Sequence, residues 1–218
     1  MKEELRKILE QGIEESGLSG QGDLIAKLSR LYDEIELFNP AYSLVNAQGR
    51  DLVVRHILDC LAPVSIMKTL APQALSDLAD LGSGSGLPGL VLASALEEGR
   101  ITLVERMGRR AGFLRNTVAA MGLSSRVTVE QKDLSEVRNT YNAVTFRAFR
   151  PFKDIICDLD RILVPGGYIF AYKSSEENIN EELEVIRSYG GCAFETDVRP
   201  YEVPMLDAKR SLLILKKC

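Results

Sequence analysis

The chain of 218 residues reads as an α/β protein. The predicted architecture is a mostly parallel seven-stranded sheet with helices on both faces, an antiparallel C-terminal edge and a helical N-terminal cap. Three observations lead there. Roughly the first 70 residues carry apolar side chains at helical spacing. From Ser76 short apolar runs alternate with helical segments, the pattern of βαβ units on a parallel sheet. The tail holds two strand-like runs too close together for a crossover, so they pair antiparallel.

The N-terminal stretch "MKEELRKILEQGIEESG" alternates charges with apolar residues at helical spacing and lacks a signal-peptide core, which points to the cytoplasm. Leu24, Leu28, Leu31, Ile35 and Phe38 predict an amphipathic helix ending near Asn39-Pro40. Leu52, Val53, His56, Ile57, Cys60 and Leu61 predict another. Residues 1–73 are thus a helical cap, part of one compact unit with residues 74–218. In that second segment "LADLG" is a strand, and Pro88 suits the first turn of the helix after it. "ITLVE", "RVTVE", "YNAVTFR" and "YIFAYK" are strands, with "GRRAGFLRNTVAAMG" and "DIICDLDRIL" as helices among them. "ENINEELEVIRSYG" is a last helix, and "FETDVRPYEVP" and "RSLLILKK" are the closing strands.

Composition narrows the function. No apolar run approaches the ~18 residues of a membrane span. Cys60, Cys157, Cys192 and Cys218 are scattered without a CxxC pair, so buried free thiols are expected, and no metal site or disulfide framework. A net charge of −4 and a pI near 5.3 argue against a general nucleic-acid binder but leave room for a local basic face.

The chemistry concentrates in "DLGSGSGLPG", Asp80 to Gly89. Gly84, Gly86 and Gly89 satisfy GxGxxG, while Gly82, Gly84 and Gly86 satisfy GxGxG; either alone is weak evidence for a nucleotide site. The loop follows the first strand of the sheet, where ligands of open parallel sheets sit. Glu105 ends the next strand, and its two oxygens can accept from both hydroxyls of a ribose. Asp80 just before the glycines would repel a pyrophosphate and attract an ammonium. S-adenosylmethionine, with an adenosine, a cationic sulfonium and an amino-acid tail, suits this set better than NAD. A tight turn holding no ligand is the bland alternative.

Several stretches now become recognisable together. "FNPAYSLVN", "RHILDCLAP", "DLGSGSGLPGLVLA", "GRRAGFL", "FRAF", "AYK" and "LDAKRSLLILKK" follow in order from residue 38 to the end. They resemble the bacterial methyltransferases that modify N7 of a guanine in 16S ribosomal RNA, the glucose-inhibited division protein B family. "LVPGGYIF" is likewise a turn and strand found in many S-adenosylmethionine-dependent methyltransferases. The resemblance implies a class I methyltransferase (Rossmann-like) fold with residues 74–218 as the S-adenosylmethionine-dependent domain. It implies cofactor contacts at Gly82, Leu87, Leu134, Ser135 and Arg147. The family usually has a carboxylate where Ser135 stands, so Asp133 or Glu136 can serve instead. Phe146, Ser174 and Ser211 also depart from the family, where serine, glycine and histidine are usual. The implied partner is 16S rRNA within the small ribosomal subunit, and the implied working form is a monomer.

Guanine N7 carries a lone pair and no proton, so its methylation needs no general base and rests on positioning. A chain with one histidine and no visible triad is consistent with that chemistry. Arg147 is the best candidate for a catalytic residue, since it follows a strand at the carboxyl end of the sheet. His56 is expected to pack structurally against a carboxylate or backbone group, with a part in substrate placement as the alternative. Arg109, Arg110, Arg150, Lys173, Lys209 and Arg210 are candidates for RNA phosphates on a basic face, with Arg106, Arg115 and Lys153 beside them. An NAD-type oxidoreductase and a non-catalytic nucleotide-binding ribosome assembly factor are the competing readings.

Overall fold

The computed structural model describes residues 1–18, 23–174 and 176–218, the side chains of 176–178 excepted. Five strands run parallel: β1 (Asp77–Leu81), β2 (Arg100–Val104), β3 (Val127–Glu130), β4 (Tyr141–Arg147) and β5 (Leu163–Lys173). The long hairpin of β6 (Phe194–Val203) and β7 (Leu206–Lys217) closes the sheet, in the order β3-β2-β1-β4-β5-β7-β6. The chain end folds inward, so β7 lies between β5 and β6. Seven strands and an antiparallel edge are as the sequence predicts; the expectation left the order within the hairpin open, and β7 takes the inner place because its Leu212–Leu215 run is buried on both faces while β6 carries Glu195, Asp197, Arg199 and Glu202.

Side chains alternate across the strands, and each set finds a different cover. Leu78, Phe170, Leu212 and Ile214 point into one apolar cluster, while Ala79, Ile169, Leu213 and Leu215 point into the other. The first cluster is closed by α1 (Glu3–Glu15), α2 (Leu24–Tyr42), α6 (Gly89–Ala95) and α7 (Gly108–Ala120). The second is closed by α8 (Phe152–Ile162), whose Ile155, Ile156, Leu159 and Ile162 make one face, and by Ile186 of α9 (Glu176–Ser188). Between cap and sheet run α3 (Gly49–Leu52), a π-helical turn (Val53–Leu58), α4 (Asp59–Leu61) and α5 (Val64–Leu70). Cap and sheet share one cluster, from Leu9 of α1 to Ile214 of β7.

Two local expectations change. The second helix does not stop at Asn39-Pro40 but continues to Tyr42 with Pro40 inside it. It ends at Ser43, in the left-handed region at φ 48°, where Ser43 N–H donates to the Asn39 carbonyl and the Asn39 side chain accepts from Val45 N–H. The following helix is broken by the wide π turn, which no periodicity in "VVRHIL" announces. Such turns concentrate at functional sites.

The cap is held by close packing as well as area. Gly12 of α1 lies against the fully buried Leu58 of the π turn, and a methyl group there would overlap the leucine side chain. Gly12→Val is expected to destabilise the protein by about 2 kcal/mol through overpacking, read as a lower urea midpoint with an unchanged slope.

Candidate functional site

Leu81 pairs with Val104 and Asp80 with Thr145, so β1, β2 and β4 end at one level and release their following loops at a common edge. The glycine loop lies at that edge. Gly82, Gly84 and Gly86 have φ values of 67°, 52° and 82°, in the region that side chains avoid. Gly82 and Ser83 N–H both donate to the Val104 carbonyl, at 2.9 and 3.1 Å, which folds the loop back over β2.

Two carboxylates shape the loop from within. Asp80 is 1% exposed; its Oδ2 accepts from Gly89 N–H at 3.1 Å, while Oδ1 has no partner. Burial pushes its pKa up to about 7. A methyl group at Gly89 would strike Asp80 and Leu103, so that glycine permits helix and strand to touch. Glu105 accepts from Gly84 N–H at 3.0 Å through Oε2 and from Met107 N–H at 2.7 Å through Oε1.

A cavity of about 250 Å³ opens beside this loop, lined by Gly82, Glu105, Met107, Asp133, Leu134 and Phe149 among others. The Phe149 ring covers Gly82 so closely that a methyl group there would overlap it. Ala148, at φ 49°, bends the chain so that the ring folds back. Arg150 lies over the same ring, 5.1 Å from its centre, and pairs with Asp133 at 2.5 Å. That hydrogen bond holds the Asp133 carboxyl below the usual carboxylate range. Asp133 also caps the short turn Leu134–Glu136, accepting from Ser135 N–H and hydroxyl.

On the other side of Ala148–Phe149–Arg150 lies a larger cleft of about 770 Å³. Asp59 forms its floor. Its Oδ2 accepts from Arg147 Nη1 at 3.0 Å, and its Oδ1 from Arg210 Nε at 3.1 Å and the Tyr201 hydroxyl at 3.2 Å. Arg147 Nη2 sits 2.8 Å from His56 Nδ1. The Tyr172 hydroxyl donates to the Cys60 carbonyl. Burial, and then the charge of Arg147, push His56 down to about 4, so the ring is neutral at physiological pH. Burial and the Asp59 charge raise the Tyr201 hydroxyl, which stays protonated.

The predicted residues therefore divide into groups. Gly82, Glu105, Asp133 and Leu134 come together at the smaller cavity, and Arg147 with Arg150 at the larger. Asp80 and Leu87 are turned into the protein and line neither cavity: Asp80 accepts from Gly89 N–H beneath the loop, and Leu87 packs in the core. Gly86 backs onto Leu90, and Ser135 is spent on Asp133. His56 finds Arg147, not the expected carboxylate or backbone group. The RNA candidates are less free than a basic face requires. Lys173 pairs with Glu182 and lies over Phe146 and Phe152, Arg210 is held by Asp59, and Arg110 reaches the Ser43 carbonyl. Arg109 and Lys209 are exposed. Asp59, Phe149 and Tyr201 were missed; "RHILD" placed Asp59 beside His56, but nothing local to it announces partners 88 and 151 residues away. Among the described residues no group of three or more His, Cys, Asp or Glu could hold a metal ion.

Comparison with known proteins agrees with this geometry. The family described as GidB, rRNA small subunit methyltransferase G, matches residues 24–202. A ribosomal RNA small subunit methyltransferase G from Treponema denticola is 30% identical over 241 residues, covering 96% of this chain and 94% of that protein. One from Borrelia turicatae is 34% identical over 181 residues, covering 82% and 86%. Among solved structures, an O-methyltransferase from Bacillus cereus in complex with SAH aligns at a TM-score of 0.58 and 15% identity, covering 87% of this chain and 91% of that one. The tRNA (m1A58) methyltransferase TrmI from Aquifex aeolicus aligns at 0.55 and 15%, covering 74% and 68%. At those identities the likeness is one of fold, the Rossmann-like methyltransferase sheet.

The buried Asp80 carboxyl has a measurable signature. Its pKa is about 7 when folded, against 3.8 for an ordinary aspartate, so the native state holds a proton that the unfolded chain has released between those values. Its contribution is therefore most favourable below about pH 4 and is lost as pH rises to about 7. Asp80→Asn should remove that segment of the stability curve, seen as a difference from wild type that grows across the interval in denaturant titrations.

Proposed function

We propose, from the premise that the chain belongs to the rRNA small subunit methyltransferase G family, that it transfers the methyl group of S-adenosylmethionine to N7 of a guanine in 16S rRNA of the small ribosomal subunit. The observation that carries this reading is the position of Ala148–Phe149–Arg150. It borders both the cavity at the glycine loop and the larger cleft, as a methyl donor and an acceptor base meeting end to end require.

The residues around the smaller cavity fit the cofactor. Glu105 already spends one lone pair of each oxygen on backbone N–H groups and keeps the others for ribose hydroxyls. Gly84 leaves open space beside the loop, and Asp133 and Leu134 supply the far wall. The Phe149 ring is the obstacle, and it must swing from Gly82 for an adenosine and its tail to lie along the loop. When bound, the cofactor supplies an activated methyl group on a sulfonium.

The chain's own contribution is placement. N7 has no proton to lose, so no residue has to act as a base, and alignment can account for several kcal/mol of the barrier. The Asp59–Arg147–Arg210 network makes a rigid floor, while Phe146, Phe149 and Tyr172 give the cleft apolar and aromatic walls for a base turned out of the RNA. Arg109, exposed outside it, is placed to meet phosphates. We take the working unit to be a cytoplasmic monomer acting without a metal. Among the described residues no helix is long and apolar enough to cross a membrane.

The direct test is transfer of tritiated methyl from S-adenosylmethionine to small subunits isolated from cells lacking the protein, with the product mapped to N7 of guanine. Subunits left unlabelled would overturn the reading and favour an assembly factor. For the cofactor site, Gly84→Val puts a branched side chain beside the loop at a strained φ of 52°, where its Cβ meets nothing nearer than the Gly82 carbonyl oxygen at 3.6 Å. It should fold and lose at least tenfold in affinity for S-adenosylhomocysteine by calorimetry.

A further inference from the structure

His56 has one nitrogen committed and one that is not. Arg147 Nη2 lies 2.8 Å from Nδ1. A guanidinium has only donors and keeps its protons, so Nδ1 is the acceptor and the ring proton sits on Nε2. Among the described residues no hydrogen bond uses Nε2, and the half-buried ring lines the larger cleft. The charged and tyrosyl donors that line the cleft each already hold a partner, which leaves the Ser174 hydroxyl as the other side-chain donor there. Arg55 holds Asp51, Arg150 holds Asp133, Lys173 holds Glu182, Arg210 and Tyr201 hold Asp59, and Tyr172 holds a backbone carbonyl. Arg147 is engaged at both terminal nitrogens, which makes it the orienter of the imidazole.

The edge of guanine that carries N7 also carries O6, an acceptor; the same edge of adenine carries an amino donor. A group that can only donate separates the two, since it meets an acceptor on guanine and another donor on adenine. We propose that His56 selects the target base, donating its Nε2–H to O6 of the purine whose N7 is methylated, with Arg147 as the positioning residue that fixes the tautomer. This rests on the guanine-N7 reading above and names the contact that gives it specificity. A neutral ring suits the task, because the purine becomes cationic as the methyl arrives and a second positive charge beside it would oppose the reaction. The hydrogen bond goes to O6 and leaves the N7 lone pair free.

The test is a cycle between residue and base. Small subunits are reconstituted with guanine or with 2-aminopurine, which lacks O6, at the methylated position, and methyl transfer is measured for wild type, His56→Ala and His56→Gln. Unfolding temperature and affinity for S-adenosylhomocysteine, measured alongside, are expected to match wild type. One neutral hydrogen bond corresponds to roughly tenfold. Wild type should lose about that factor in kcat/KM on 2-aminopurine, and His56→Ala should lose it on guanine with no further loss on 2-aminopurine. His56→Gln, which keeps an N–H donor, should recover most of the loss. If His56→Ala distinguishes the two bases as wild type does, or keeps full activity on guanine, the assignment to His56 is wrong. Wild-type protein that leaves guanine-bearing subunits unmethylated would overturn this assignment and the underlying reading together.

Discussion

The Asp59 carboxylate is where three distant parts of the chain meet. It stands at the end of the π turn in the helical cap, and it receives Arg147 from the end of β4 and Arg210 and Tyr201 from the C-terminal hairpin. At 4% exposure such a carboxylate needs partners to replace water, and the two partly buried guanidiniums beside it need it in turn. Removing one member of such a set leaves uncompensated charge, which costs far more than the set contributes when whole. The ion cluster therefore specifies an arrangement: it ties the cap to the catalytic end of the sheet, sets the direction of Arg147, and through Arg147 sets the protonation of His56.

A second pair of carboxylates divides the work at the glycine loop. Asp80 and Glu105 end adjacent strands, and each accepts from a backbone N–H of the loop. Asp80 does so beneath the loop in an apolar setting, and Glu105 does so at the rim of a cavity. The loop is thus shaped by the protein itself before any ligand meets it, so less ordering is left for the moment of binding. The glycines are required for different reasons: Gly82 leaves room for a ring, Gly86 for Leu90, and Gly89 for the side chain of Asp80.

Much of this was visible in the sequence because it is local. Apolar runs such as "ITLVE" and "YIFAYK" declare strands, and the glycines with a carboxylate one strand later meet at the carboxyl edge of the sheet beside a cavity. The π turn was not visible, since its hydrogen bonds shift by one residue while its apolar spacing stays helical. The seating of β7 between β5 and β6 was left open, although the apolar run Leu212–Leu215 in β7 and the charges of β6 carry the signal. The pairing of Asp59 with Arg147 and Arg210 is a relation between residues far apart in sequence, and no period records it. Phe149 gave no signal, since an aromatic in "FRAFRPF" reads as core, whereas its ring lies over Gly82 at the rim of the cavity.

The short segment Ala148–Phe149–Arg150 is the common wall of two compartments. Any ligand that moves the Phe149 ring off Gly82 reshapes the neighbouring cleft by the same displacement, and also pulls on the Arg150–Asp133 pair. Occupancy of one compartment then changes the free energy of filling the other. Such linkage is reciprocal: by whatever factor the cofactor alters affinity for the base, the base alters affinity for the cofactor. Three residues between two cavities thus make the protein a heterotropic device, in which order of assembly is written into a partition.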